Sequence, residues 1–271
     1  MNRKILFSLF SVFTLMNIYS QDFSDYVKDL ENLYTISYKG VSKNDSAYLS
    51  EQGQLAEFEG AFTVVGEGYF EVFDVTTGKK LYRRTGYLNF SEGKVYVDCN
   101  YILKTDCLLK DTAVKTISIS NKGIVTINYF NDETDVFSIP LYKPTDKSIN
   151  IFVGDGYQFS EVEQIESNGF KMNFIELSTV DKYFLVLNIQ EKLFEYLHNG
   201  EIDVMRFNYL ETLLKQLWSM FLQEDNVKEN FRVDCNCICV KTQYSDSIIQ
   251  LIEKIKKWGM KINSYKNENV R

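Results

Sequence analysis

Ala61-Phe-Thr-Val-Val-Gly-Glu-Gly-Tyr-Phe-Glu-Val-Phe-Asp74 is the stretch on which the reading of this chain turns. Its apolar residues are β-branched or aromatic, and Gly66 and Gly68 flank Glu67 just where a strand begins. The two glycines supply a positive φ or a close backbone approach, and Tyr69, Phe70, Val72 and Phe73 supply large apolar faces. A dinucleotide fingerprint would need a third glycine three residues on and a helix behind it. Position 71 is a glutamate and the strand pattern continues, so phosphate binding is not expected.

Working outward, Leu81-Tyr-Arg-Arg-Thr-Gly-Tyr-Leu-Asn-Phe90, Gly93-Lys-Val-Tyr-Val97 and Ile117-Ser-Ile-Ser-Asn-Lys-Gly-Ile-Val-Thr126 are short runs of the same kind. Gly, Asn, Asp or Ser bound each of them, so residues 53–126 predict an antiparallel β unit joined by tight turns. Residues 126–129 and 135–141 read as further strands, with Pro140 and Pro144 marking a turn after them.

The order of these pieces resembles the hook-basal body rod proteins of bacterial flagella. In that family G-x-G-F-F-x-V is followed by Y-T-R-x-G-x-F, then G-x-L-V and I-x-x-x-G-x-I. Here Gly66-Glu-Gly-Tyr-Phe-Glu-Val72, Tyr82-Arg-Arg-Thr-Gly-Tyr-Leu88, Gly93-Lys-Val-Tyr96 and Ile119-Ser-Asn-Lys-Gly-Ile124 stand in their places. A second anchor is similar to the family's G-x-L-E-x-S-N-V-D, where Glu176, Leu177, Ser178, Val180 and Asp181 match and Thr179 replaces the Asn. The resemblance covers residues 53–181. It implies structural roles for Gly66, Gly68, Tyr69, Phe70, Tyr82, Arg83, Gly86, Gly93, Gly123, Glu176, Ser178 and Asp181.

Residues 1–20 read as a cleavable signal peptide. Arg3 and Lys4 precede an apolar core, and Ser20 is the small residue before a cut ahead of Gln21. The remainder is expected to be periplasmic or secreted, with no transmembrane span. The formal charge is −7, which argues against nucleic acid as a partner. Aromatics at 15% give the chain ample apolar area to bury. His198 is the only histidine, at a helix end before Gly200, so histidine-rich metal sites are excluded by count. Paired carboxylates remain open, because 37 acids offer many candidates.

Residues 22–37 place Phe23, Tyr26, Val27, Leu30, Leu33 and Tyr34 on one helical stripe. Past Asp181 the spacing of Tyr183, Val186, Ile189, Leu193 and Leu197 predicts a helix stopped at Asn199-Gly200. A second helix carries Leu210, Leu213, Leu214, Leu217 and Phe221, and a third Ile248, Leu251, Ile252, Ile255 and Trp258. Between them, residues 231–240 alternate strictly and read as one strand, with Cys235, Cys237 and Cys239 on the side of Phe231 and Val233. These thiols read as core filling or partners in long-range disulfides, with a thiolate metal site as the alternative. Cys99 and Cys107 flank a hairpin turn and could bond to each other or to that strand.

The sequence therefore predicts an α+β protein. A signal peptide (1–20) and an N-terminal helix and loop (21–52) precede an antiparallel β-rich domain resembling the hook-basal body core (53–181). A helical α+β C-terminal domain (182–271) with one strand follows. The resemblance implies a non-enzymatic accessory of a flagellar or envelope assembly, without cofactors. Its partners would be flagellar or envelope proteins, and a homo-oligomer is left open. The rival reading is a secreted module that recognises a glycan or surface protein through Tyr69, Tyr82, Tyr87, Tyr96 and Tyr101. Exposure of those rings would favour it, and burial the structural reading.

Overall fold

The computed structural model describes residues 23–40, 49, 51–105, 109–110, 112–225, 230–234, 237–241 and 245–268; for 230–241 and 259–268 it describes the backbone alone. The predicted signal peptide, Cys107 and Cys235 lie outside these residues. The architecture is α+β: a large antiparallel sheet curled into a half-barrel, and four helices, mostly C-terminal.

The main sheet runs in the order β11 (Asn150–Val153), β12 (Gly156–Phe159), β3 (Lys80–Arg83), β2 (Tyr69–Asp74), β6 (Tyr101–Leu103), β5 (Lys94–Val97), β4 (Thr85–Ser91), β1 (Leu55–Val64) and β14 (Phe170–Glu176). Strand β10 (Leu141–Pro144) pairs with β2 and carries β13 (Val162–Ile165) on its other side. Residues 117–126, predicted as one run, form a hairpin instead. The turn at Gly123 separates β7 (Val114–Ile119) from β8 (Ile124–Tyr129), and β9 (Thr134–Ser138) completes a small sheet of its own. Gly123 stands at φ 70° with the Phe170 ring against it, so glycine is needed there for both conformation and space. Val125, Ile127 and Tyr129 of the small sheet close one core with Phe62, Phe70, Val72 and Phe170 of the large one. Glu92 and Gly93, at φ 52° and 69°, make the two-residue loop between Ser91 and Lys94, the geometry that matches the twist of a hairpin. Gly86 allows β4 and β5 to close up, since a Cβ there would lie 2.1 Å from Val97 Cγ1.

The helices form a second core. Helix α1 (Phe23–Glu31) is shorter than predicted, because the Asn32 side chain donates to the Lys28 carbonyl and caps the last turn. Leu33 and Tyr34 still pack where the stripe placed them. Phe23, Tyr26, Val27 and Leu30 bury against α2 (Lys182–His198), α3 (Val204–Glu224) and α4 (Ser245–Glu268). The N-terminal helix thus joins the C-terminal ones in space. Residues 231–240 are not one strand: β15 (Asn230–Asp234) and β16 (Cys237–Lys241) pair antiparallel as a hairpin. The first strand ends at Asp234, a residue type that favours turns, and that local signal overrides the alternation. Val233 falls opposite Ile238, and Cys239 opposite Arg232, so the single row of apolar and thiol positions does not persist.

Candidate functional site

The chain passes from the sheet to the helices at residues 176–183, and the most elaborate polar constellation of the described residues is built there. Glu176 ends β14, opposite Leu55 of β1, and is fully buried. Its Oε1 accepts from Lys39 Nζ at 2.5 Å, Gly53 N at 2.7 Å and Gln52 Nε2 at 2.8 Å, and its Oε2 from Arg84 Nε at 2.6 Å. The main chain is held as well, with Glu176 N donating to Thr85 Oγ1 and Ser37 N to the Glu176 carbonyl. Burial by itself would raise this carboxyl; Arg84 and then Lys39 outweigh it and hold the group below its ordinary value. Burial pulls Lys39 down to about 8 despite Glu176.

Arg84 is fully buried between the Gly66–Gly68 turn and Glu176. Beyond Glu176, its Nη1 donates to the Gly68 carbonyl at 2.7 Å, and its Nη2 to the carbonyls of Gly66 at 2.7 Å and Val64 at 3.1 Å. Gly66 and Gly68 stand at φ 89° and 101°, which turns those carbonyls onto the guanidinium. Tyr69 lies beneath it, ring centroid to Cζ 5.3 Å, with its hydroxyl donating to the Leu49 carbonyl. The Gly66-Glu-Gly68 turn, the Arg-Thr-Gly of the second run and the Glu176 segment therefore meet at one buried arginine.

Arg83, the arginine singled out from the sequence, lies in a separate cluster. Its Nη2 is 2.6 Å from Asp98 Oδ2 and 3.0 Å from Asp155 Oδ2, with the Tyr101 ring 4.6 Å from its Cζ. These are ion-pair distances without hydrogen-bond angles, and its Nε and Nη1 are buried with no acceptor. Burial raises Asp98 above its ordinary value, only partly offset by Arg83. Sequence reasoning missed Arg84 as the centre. The pattern Y-T-R-x-G aligned on Tyr82 and Gly86 was the available signal, since it puts its arginine at position 84.

Beside the Glu176 constellation lies a cleft of about 320 Å³ between sheet and helices, lined by Ser178 and Asp181 among others. Lys182 Nζ bridges Glu224 Oε2 at 3.1 Å and Asp225 Oδ1 at 2.5 Å, and Tyr34 donates to Glu224 Oε1 at 2.8 Å. Burial and then its bond to Asp225 push the Tyr183 hydroxyl up to about 12. Asp181 caps α2, accepting from the Tyr183 and Phe184 amides at 3.0 Å each. The acids in this cleft are already matched by a lysine and two tyrosines, which fasten α2 and α3 to the segment after α1.

Tyr69, Tyr82 and Tyr101 are buried, and only Tyr87 and Tyr96 are partly exposed, so the five rings do not form a common surface. Phe70 and Tyr82 are core residues, the latter's hydroxyl donating to Glu71. Cys99 is an exposed free thiol. The side chains of Cys237 and Cys239 lie outside the described residues; no cluster of metal-ligating side chains occurs among those described. No described helix is long and apolar enough to cross a membrane. No protein-family model matches the chain, and no curated protein matches it by sequence.

Proposed function

We propose that this chain is a non-enzymatic structural or accessory protein of a bacterial flagellar basal body, rod or hook assembly. It acts through protein–protein contacts, and its signal peptide directs it to the periplasm, where some flagella lie. The observation that carries this reading is the convergence on Arg84. The first, second and last pieces of the family-like pattern, spread over residues 66–181, supply the Gly66 and Gly68 carbonyls, the arginine and Glu176. A chance succession of strand-like motifs would have no reason to close around one ion pair. The packing of α1 onto the C-terminal helices adds support, since in the resembling family the C-terminal helix coils with an N-terminal one. Burial of Tyr69, Tyr82 and Tyr101 argues against the glycan-binding alternative. The test is capture of partners from envelope extracts by the tagged chain from Gln21 onward, read by mass spectrometry. Recovery of rod, hook or motor-collar proteins is the expected result. Recovery of glycan or unrelated surface proteins alone would end the flagellar reading and leave the fold untouched.

A further inference from the structure

The sheet ends at β11, and that edge is self-complementary. We propose that two copies of this chain join antiparallel along β11, about Ile151, into one continuous sheet; this does not rest on the flagellar reading. Among the described residues strand β11 pairs only with β12, through Val153↔Gly156 and Ile151↔Gln158, across the two-residue turn of Gly154 and Asp155. Ser160 N donates to the Ile149 carbonyl, so Ile149, Ile151 and Val153 direct their main-chain groups toward β12. By alternation, Asn150 and Phe152 direct theirs to the open edge, where an antiparallel strand would find donors and acceptors in step.

The register that satisfies both of them places Asn150 opposite Phe152 of the other copy, and Ile151 opposite itself. Ile149 then meets Val153, so the three exposed apolar residues of this edge, 68%, 49% and 42% exposed in chain order, pair with one another. An open edge with a row of exposed isoleucines is a liability that a monomeric protein blunts with inward charge or proline, and neither occurs between residues 148 and 154.

Cysteine placed at Ile151 tests the register, because opposed residues at a non-hydrogen-bonded antiparallel pair have Cβ atoms about 5 Å apart, within disulfide reach. In a Cys99→Ser background, the full chain with Ile151→Cys should cross-link through position 151 under mild oxidation, mapped by mass spectrometry. The rate should exceed by about tenfold that of Phe130→Cys, a control at a residue 68% exposed and far from the edge. Asn150→Pro removes an outward amide that has no partner among the described residues, so it should weaken dimerisation in sedimentation equilibrium by about tenfold or more and leave the melting temperature of the monomer unchanged. A chain that sediments as a monomer at every concentration overturns the proposal. So does a dimer that cross-links no faster at position 151 than at 130, or one indifferent to the proline.

Discussion

Arg83 and Arg84 are adjacent in the chain, both fully buried, both within ion-pair distance of carboxylates, and they have opposite characters. Arg84 donates to a carboxylate and to the carbonyls of Val64, Gly66 and Gly68, and its partner Glu176 is held below the ordinary carboxyl value. Arg83 has two acids beside it and no aligned acceptor for Nε or Nη1, and its partner Asp98 is raised instead. Opposite charge alone does not compensate a buried guanidinium; acceptors in its plane do. Arg84, in the bend between β3 and β4, thus ties the Gly66–Gly68 turn to the end of β14. The Arg83 side is under-satisfied, with Asp155 reaching solvent.

Cutting the first cluster gives the largest expected effect. Arg84→Leu or Glu176→Ala leaves a buried charge without its partner and should cost about 3 to 5 kcal/mol in urea unfolding. Arg83→Leu removes a guanidinium whose Nε and Nη1 have no acceptor and leaves an Asp98 carboxyl that is already raised, so it should cost only about 1 to 3 kcal/mol. Equal losses at the two positions would erase the distinction between the clusters.

Acid titration sharpens it by sign. The folded pKa of Glu176 lies below 4.5, so its contribution is present above about that pH and lost as pH falls through the folded value. The folded pKa of Asp98 lies above 3.8, so the folded state takes up that proton first and this residue's contribution grows on acidification. Relative to wild type, Glu176→Gln should flatten the loss of stability between neutral pH and about pH 3, and Asp98→Asn should steepen it, in urea midpoints measured across that range. The same slope in both variants would show that the two carboxyls share one environment.

The glycines of the Arg84 turn give a finer comparison. A Cβ at Gly68 would meet Ile165 Cδ1 at 2.8 Å, whereas at Gly66 nothing lies within 4 Å, though both have positive φ. Gly66→Ala should cost about 1 kcal/mol, from conformation alone, and Gly68→Ala about 2 to 3, by thermal melting. An effect as small as that at Gly66 belongs to the seam: Asp181→Ala should cost about 1 kcal/mol, the loss of one helix cap. A larger loss there would mean that the seam carries more of the fold than a cap does.

Legibility in the sequence followed the range of the forces. The strand runs around Gly66 and Gly93, and the apolar stripes of α2 and α3, are written in spacings of two to four residues, and they appear in the structure. The hairpin of β15 and β16 was hidden because Cys237 and Cys239 continue in sequence the alternation of Phe231 and Val233. The end of α1 was misplaced by the apolar Leu33 and Tyr34, since packing onto another element does not require helix. At the candidate site, the two glycines and Glu176 were singled out individually. Nothing local said that they meet, or that Arg84 rather than Arg83 faces them.

By itself the sequence determined that this is an α+β protein with a glycine-punctuated antiparallel sheet and amphipathic helices after it, because periodicity and turn chemistry act between near neighbours. Only the tertiary structure decided that α1 belongs with the C-terminal helices, that β7 to β9 leave the main sheet, and which of two neighbouring arginines is enclosed by acceptors. Arg83 ends β3 and Arg84 forms the bend before β4; that Arg84 is the one to meet Glu176, 92 positions away, depends on the pairing of β1 with both β4 and β14.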